Sequence, residues 1–158
     1  MTANENKSPI MSDDDIRDLK IIAEMIIPTS DVHKIPGAAD PEIFEDILSL
    51  AAPHTATIAS ALKALNALSL EADGEAFAKL GTDQRETVAD SFRQNHAAVT
   101  ELLEALTVQA YYRNERIKSS LDMESRPPFP GGFTLEQGDW SLLDEVRSRP
   151  PFYRGTSN

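Results

Sequence analysis

Apolar residues recur along this chain three and four positions apart, and polar or turn residues cut the recurrence into segments. That is the spacing of helices with one face turned inward. Ser12 followed by Asp13, Asp14 and Asp15 places a hydroxyl cap and carboxylates at a helix start. Ile16, Leu19, Ile22/Ala23 and Ile26 then predict a helix over 13–27, ended by Pro28. The loop PTSDVHKIPGAAD follows, with Pro36-Gly37 as its turn. Asp40-Pro41 supplies an N-cap and a proline at the first helical position, and Ile43, Phe44, Ile47 and Leu48 form the next apolar face. Pro53 opens a third helix, with a stripe of Ile58, Leu62, Leu65 and Leu68 and with Ala61 and Ala64 permitting close approach. Asp73-Gly74 interrupts it, and a short helical piece carrying Phe77 and Leu80 ends at Gly81. Asp83-x-x-Glu86 has the form of a capping box and opens a helix with Val88 and Phe92 inward. After a break at Asn95-His96, a last helix over 97–118 carries Val99, Leu102, Leu103, Leu106 and Ala110. No window alternates with period two, and no internal repeat is visible. The predicted fold class is all-α: an antiparallel bundle of five or six helices.

The last third breaks the pattern. It holds five of the ten prolines, together with Phe129, Phe133, Trp140, Phe152 and Tyr153 and the interleaved Arg147, Arg149 and Arg154. So much proline defeats helical periodicity, yet so many rings are out of place in a disordered linker. The organisation read from this is a flexible N-terminus at 1–11, a helical bundle at 12–120, and an extended strap at 121–158 that docks on the bundle, on a partner, or on both. Within the strap, Asp139 to Val146 has the makings of one or two helical turns with Trp140, Leu143 and Val146 on one face. Trp140 either closes the end of the chain's own core or meets another protein. Arginine among aromatic rings is the composition of interface hot spots, and Arg147 and Arg149 suit bidentate carboxylate pairing. The candidate interface residues are Tyr111, Tyr112, Phe129, Pro130, Phe133, Trp140, Arg147, Arg149, Phe152 and Tyr153.

Composition narrows the function classes. A single 158-residue domain can bury about 68–70% of the surface its unfolded chain exposes, so it needs no staple. The absence of cysteine excludes disulfides, thiolate metal sites and a cysteine nucleophile. A formal charge of −11 disfavours nucleic acid and anionic membranes as partners. No apolar run approaches the roughly 20 residues of a membrane span. The N-terminal stretch MTANENKSPIMSDDD has no apolar core and no twin arginine, so the chain by itself is expected in the cytoplasm, or in the periplasm if exported with its complex. His33, His54 and His96 belong to neither HExxH nor Glu-x-x-His, because Ser30, Ala51 and Arg93 occupy the required positions; surface or capping roles suit them better. The Asp13–Asp15 run is explained by its place at a helix start. Gly131-Gly132 lacks the spacing and the preceding strand of a dinucleotide fingerprint. With no P-loop, no GxSxG and no nucleophile–base pair, no catalytic, cofactor-binding or metal-ligating residue is assigned.

The segment IIPTSDVHKIPGAADPEIFEDIL resembles the N-terminal signature of the gluconate 2-dehydrogenase subunit 3 family, in which a first helix ends in an Ile-Pro stretch and a Pro-Gly-Ala turn leads into the next. Here these are Ile27-Pro28 and Pro36-Gly37-Ala38. Leu106-Thr107 with Ala110-Tyr111-Tyr112 is similar to the family's Leu-Thr…Gly-Tyr-Tyr pattern, with Ala110 where glycine is common. The run Pro-Pro-Phe-Pro-Gly-Gly-Phe at 127–133, Gly138-Asp139-Trp140, and Val146 to Arg149 with Tyr153-Arg154 resemble its tail. The likeness spans about 15–154. It implies a non-catalytic small (gamma) subunit of a bacterial sugar or polyol dehydrogenase. Its partner would be a large flavoprotein of the glucose–methanol–choline type that carries the FAD and the catalytic base and oxidises, for example, C3 of a glucoside or C2 of gluconate. A cytochrome c subunit often takes the electrons. The resemblance also implies support for the large subunit's folding and export, but the twin-arginine signal used for export in the family is not in this sequence.

Two other classes compete. A stand-alone helical protein would hold a small ligand within its bundle, with the tail as a lid. An independent enzyme would need a catalytic constellation, which the sequence lacks.

Overall fold

A computed structural model describes residues 11–124, Gly132 and residues 138–150. The chain divides into two units, Met1–Ser125 and Arg126–Asn158. The first unit is an all-α bundle of six helices: α1 (Asp13–Ile26), α2 (Pro41–Ala51), α3 (Thr55–Asp73), α4 (Thr82–Asn95), α5 (Ala97–Arg113) and α6 (Glu115–Ser120). Among the described residues there is no strand, only an isolated antiparallel bridge between Ser30 and Ile35.

The starts of α1 and α2 follow from local chemistry. Ser12 Oγ accepts from the Asp15 amide, and the Asp15 carboxylate accepts from the Ser12 amide at 2.9 Å, a complete capping box. Asp40 Oδ1 accepts from the Glu42 amide at 3.1 Å, directly before Pro41. Pro53 sits in a 3₁₀ turn, Ala52–His54, that bends the chain from α2 into α3. Helix α3 ends where Gly74 takes φ +72°, the left-handed conformation that a side chain resists.

Two boundaries differ from the sequence reading. Helix α4 starts at Thr82, and the residue reaching back is Gln84, whose Oε1 accepts from the Gly81 amide at 3.1 Å. The expected Asp83-x-x-Glu86 box therefore lies inside the helix, two residues late. The helix expected over 97–118 breaks at Asn114, which turns extended (ψ 130°) and caps α6 by accepting from the Arg116 amide at 3.0 Å. Beyond the break Ile117 lies inward, 1% exposed.

The core collects Leu19 and Ala23 of α1, Ile43, Phe44 and Ile47 of α2, Ile58, Leu62 and Leu65 of α3, Val88 and Phe92 of α4, and Leu103, Leu106, Ala110 and Tyr111 of α5. Phe77 enters from a 3₁₀ turn, Phe77–Lys79. Helix α5 is the central element, packed on α1, α2, α3 and α4. Leu48, Leu68, Val99 and Leu102, expected inside, are only partly buried, and Ser69 is fully buried beside Leu68. Ser69 tolerates this because its hydroxyl donates to the Glu75 carbonyl at 2.7 Å.

In the second unit, a 3₁₀ turn (Trp140–Leu143) runs into a single turn of helix, α7 (Asp144–Arg147). Asp139 caps it, accepting from the Ser141 amide at 3.0 Å and from the Ser141 hydroxyl at 2.6 Å. These bonds hold the Asp139 carboxyl below the ordinary carboxylate range.

Candidate functional site

Glu24 stands in the last turn of α1, where the helix dipole disfavours a carboxylate. Its work is on the loop that follows. Oε1 accepts from the Thr29 amide and hydroxyl, both at 2.9 Å, and Oε2 accepts from the Ala39 amide at 3.1 Å. Thr29 Oγ1 in turn accepts from the Gly37 amide at 3.0 Å. Gly37 sits so close that a Cβ there would come within 2.6 Å of the Thr29 nitrogen and collide with the Glu24 carboxylate.

The loop is pinned elsewhere too. Ser30 and Ile35 exchange backbone bonds of 3.0 and 3.1 Å, and the Ala38 amide donates to the Ile27 carbonyl at 2.8 Å. Lys34 takes the left-handed conformation, φ +54°, to close the turn. From α5, the Tyr111 hydroxyl donates to the Pro36 carbonyl at 2.9 Å. At the tip of this fastened loop, Val32 is 86% exposed. Arg116 of α6 binds Asp40 at 2.5 Å and Glu42 at 2.9 Å, tying α6 to the start of α2. The guanidinium holds the Asp40 carboxyl below its ordinary range.

Of the predicted interface residues, Tyr111 is buried and used internally; burial, then Tyr112 and Glu24, push its phenol up. Tyr112 meets it edge-on at 5.3 Å and is itself half exposed. In the second unit, Trp140, Leu142, Leu143 and Val146 are all more than a third exposed. Among the described residues Arg147 pairs with Asp144, at 3.4 Å, and Arg149 is exposed. Phe129, Pro130, Phe133, Phe152 and Tyr153 lie outside the described residues.

Sequence reasoning missed two polar anchors. Glu24 has a signal, a carboxylate at the wrong end of a helix. Asp18 has one as well, being a charge on the apolar face between Ile16 and Leu19. It is 1% exposed, and Oδ2 accepts from Asn66 of α3, whose own Oδ1 accepts from the Phe77 amide at 3.1 Å. The other oxygen, Oδ1, has no partner among the described residues. Burial raises the Asp18 carboxyl above its ordinary range, partly offset by the Asn66 bond and by Arg17.

His33 is exposed on the loop, His54 is exposed between α2 and α3, and His96 stacks on Phe92 with ring centroids 4.8 Å apart. Among the described residues no three His, Asp or Glu side chains gather as a metal group. No described helix is long and apolar enough to cross a membrane.

The family model of gluconate 2-dehydrogenase subunit 3 matches residues 13–131, a span that takes in the whole bundle and the Glu24-fastened loop. No curated protein and no solved structure matches the chain.

Proposed function

This chain belongs to the gluconate 2-dehydrogenase subunit 3 family, and from that premise we propose that it is the non-catalytic small subunit of a FAD-dependent sugar or alcohol dehydrogenase. The family is one of dehydrogenase subunits. The chemistry is assigned to a large flavoprotein partner of the glucose–methanol–choline type, with a cytochrome c subunit as one route for the electrons. This chain binds that partner and stabilises its fold.

Besides membership, the observation that supports the reading is the apolar face of the 140–147 turns. Trp140 is 59% exposed and Val146 55% exposed, with Leu143 between them, flanked by Arg147 and Arg149. An indole and two branched side chains in water beside guanidinium groups match the composition of interface anchors.

Co-expression with the FAD-binding large subunit from the same genome tests the reading. The expected result is a stoichiometric complex with a flavin absorbance band and dye-reducing activity on sugars, absent when this chain is omitted. Trp140→Ala combined with Arg147→Ala is expected to lower the yield of complex about tenfold or more, as for loss of a hot spot. A colourless, stable monomer with no partner overturns the reading and redirects the search to a small ligand within the bundle.

A further inference from the structure

Helices α1, α4 and α5 leave between them a groove of about 620 Å³. Its walls are apolar: Ile22, Met25 and Ile26 follow helical spacing on α1, and Val108 faces them from α5. Met25 is 36% and Val108 43% exposed, so the wall stands open to solvent. The rim has the opposite character. Glu86 and Asp90 lie one turn apart on α4, and Glu104 lies one turn before Val108 on α5. The one cation lining the groove among the described residues, Arg93, is held by Asp90 at 2.8 Å. With Asp90 and Arg93 paired, the described rim keeps an excess of two carboxylates, Glu86 and Glu104.

We propose that this groove seats an apolar segment of the large subunit whose flanks carry lysine or arginine, a surface separate from the 140–147 turns. The proposal rests on the subunit reading above. The volume falls within the range of about 300–1,000 Å³ typical of binding pockets, enough for several anchoring side chains. A helix laid along such a groove presents its anchors at i, i+3 or i+4 and i+7. The rim charge selects the flanks. A second copy of this chain, at a formal −11, would bring the same carboxylates against each other. A fatty acid or an anionic lipid would bring its negative head to a negative rim. Only a cationic flank turns these carboxylates from a penalty into an attraction, and exposed rim charges act mainly on the rate of association.

The test measures binding of this chain to the purified FAD-binding large subunit by interferometry, with wild type, Val108→Glu, and the double reversal Glu86→Lys/Glu104→Lys. All three positions are exposed, and thermal melts followed by circular dichroism confirm the fold. The expected result is wild-type binding that weakens as salt rises, and a loss of about tenfold or more in each variant. Wild-type binding with the double reversal unaffected overturns the groove proposal and leaves the subunit reading standing. No binding by wild type overturns both. A dimer of the isolated chain in light scattering that Val108→Glu dissolves overturns the proposal in favour of a second copy as occupant.

Discussion

Gly37 shows how little space a single residue can be given. Its missing side chain lets the Glu24 carboxylate reach Thr29 and Ala39 at once, and the Thr29 nitrogen leaves no room to yield. Gly37→Ala is expected to lower stability by about 1–3 kcal/mol, the usual range for overpacking, read as a shift in the urea midpoint. Asp18 raises a different question, because burial penalises its charge while Asn66 and Arg17 favour it. The sign follows from proton linkage. A folded state that holds this proton more tightly than the unfolded chain is stabilised as pH falls through the window just above the ordinary aspartate value of about 3.9, and weakened as pH rises through it. Asp18→Asn keeps an acceptor for Asn66 without the charge. It is expected to be at least as stable as wild type at neutral pH and to lack this part of the pH dependence in paired melts. Asp18→Ala leaves the Asn66 amide only its longer bond to the Leu62 carbonyl, at 3.3 Å, among the described residues and is expected to cost about 1–3 kcal/mol.

Among the elements, the caps decide where each helix begins. Ser12 and Asp40 were legible because a small polar side chain before an acidic or proline-led turn has few other uses. The start of α4 lies two residues before the one the sequence pattern predicts. Gly81 and Gln84 do the work, and a glycine cap leaves no side-chain signature while Asp83-x-x-Glu86 offers a competing one. Asn114 escaped for a related reason. Mid-pattern asparagine reads as a tolerated polar residue, and Ile117, two turns after Ala110, keeps the spacing of an unbroken helix across it. Asp40 carries two duties, the cap of α2 and the anchor for Arg116. Asp40→Ala is expected to cost about 1–2 kcal/mol, mostly from the cap, since half-exposed ion pairs contribute little. The carboxyl is depressed in the fold, so this contribution is present at neutral pH and lost as pH falls below the ordinary carboxylate range. The gap between Asp40→Ala and wild type should therefore narrow in acid melts.

For the whole molecule, the core cluster of the described residues lies between Leu19 and Ile117. Removing residues 126–158 is therefore expected to leave a cooperative helical melt within a few degrees of the full chain. The same truncation should sharply reduce assembly with a large subunit, and a truncated chain that assembles as well as wild type would move the whole interface onto the bundle. What the sequence by itself determined was local: helix count, the N-terminal caps of α1 and α2, the breaks at Gly74 and at residues 95–96, and the family, because these depend on spacing and on neighbours within a few residues. The tertiary structure alone decided that Ser69 is buried while Leu68 is only partly so, that Glu24 and Asp18 are anchors, that Tyr111 is used internally while Tyr112 is exposed, and that α1, α4 and α5 leave an acid-rimmed groove. Each of those depends on atoms brought together from distant parts of the chain, whose approach no local pattern records.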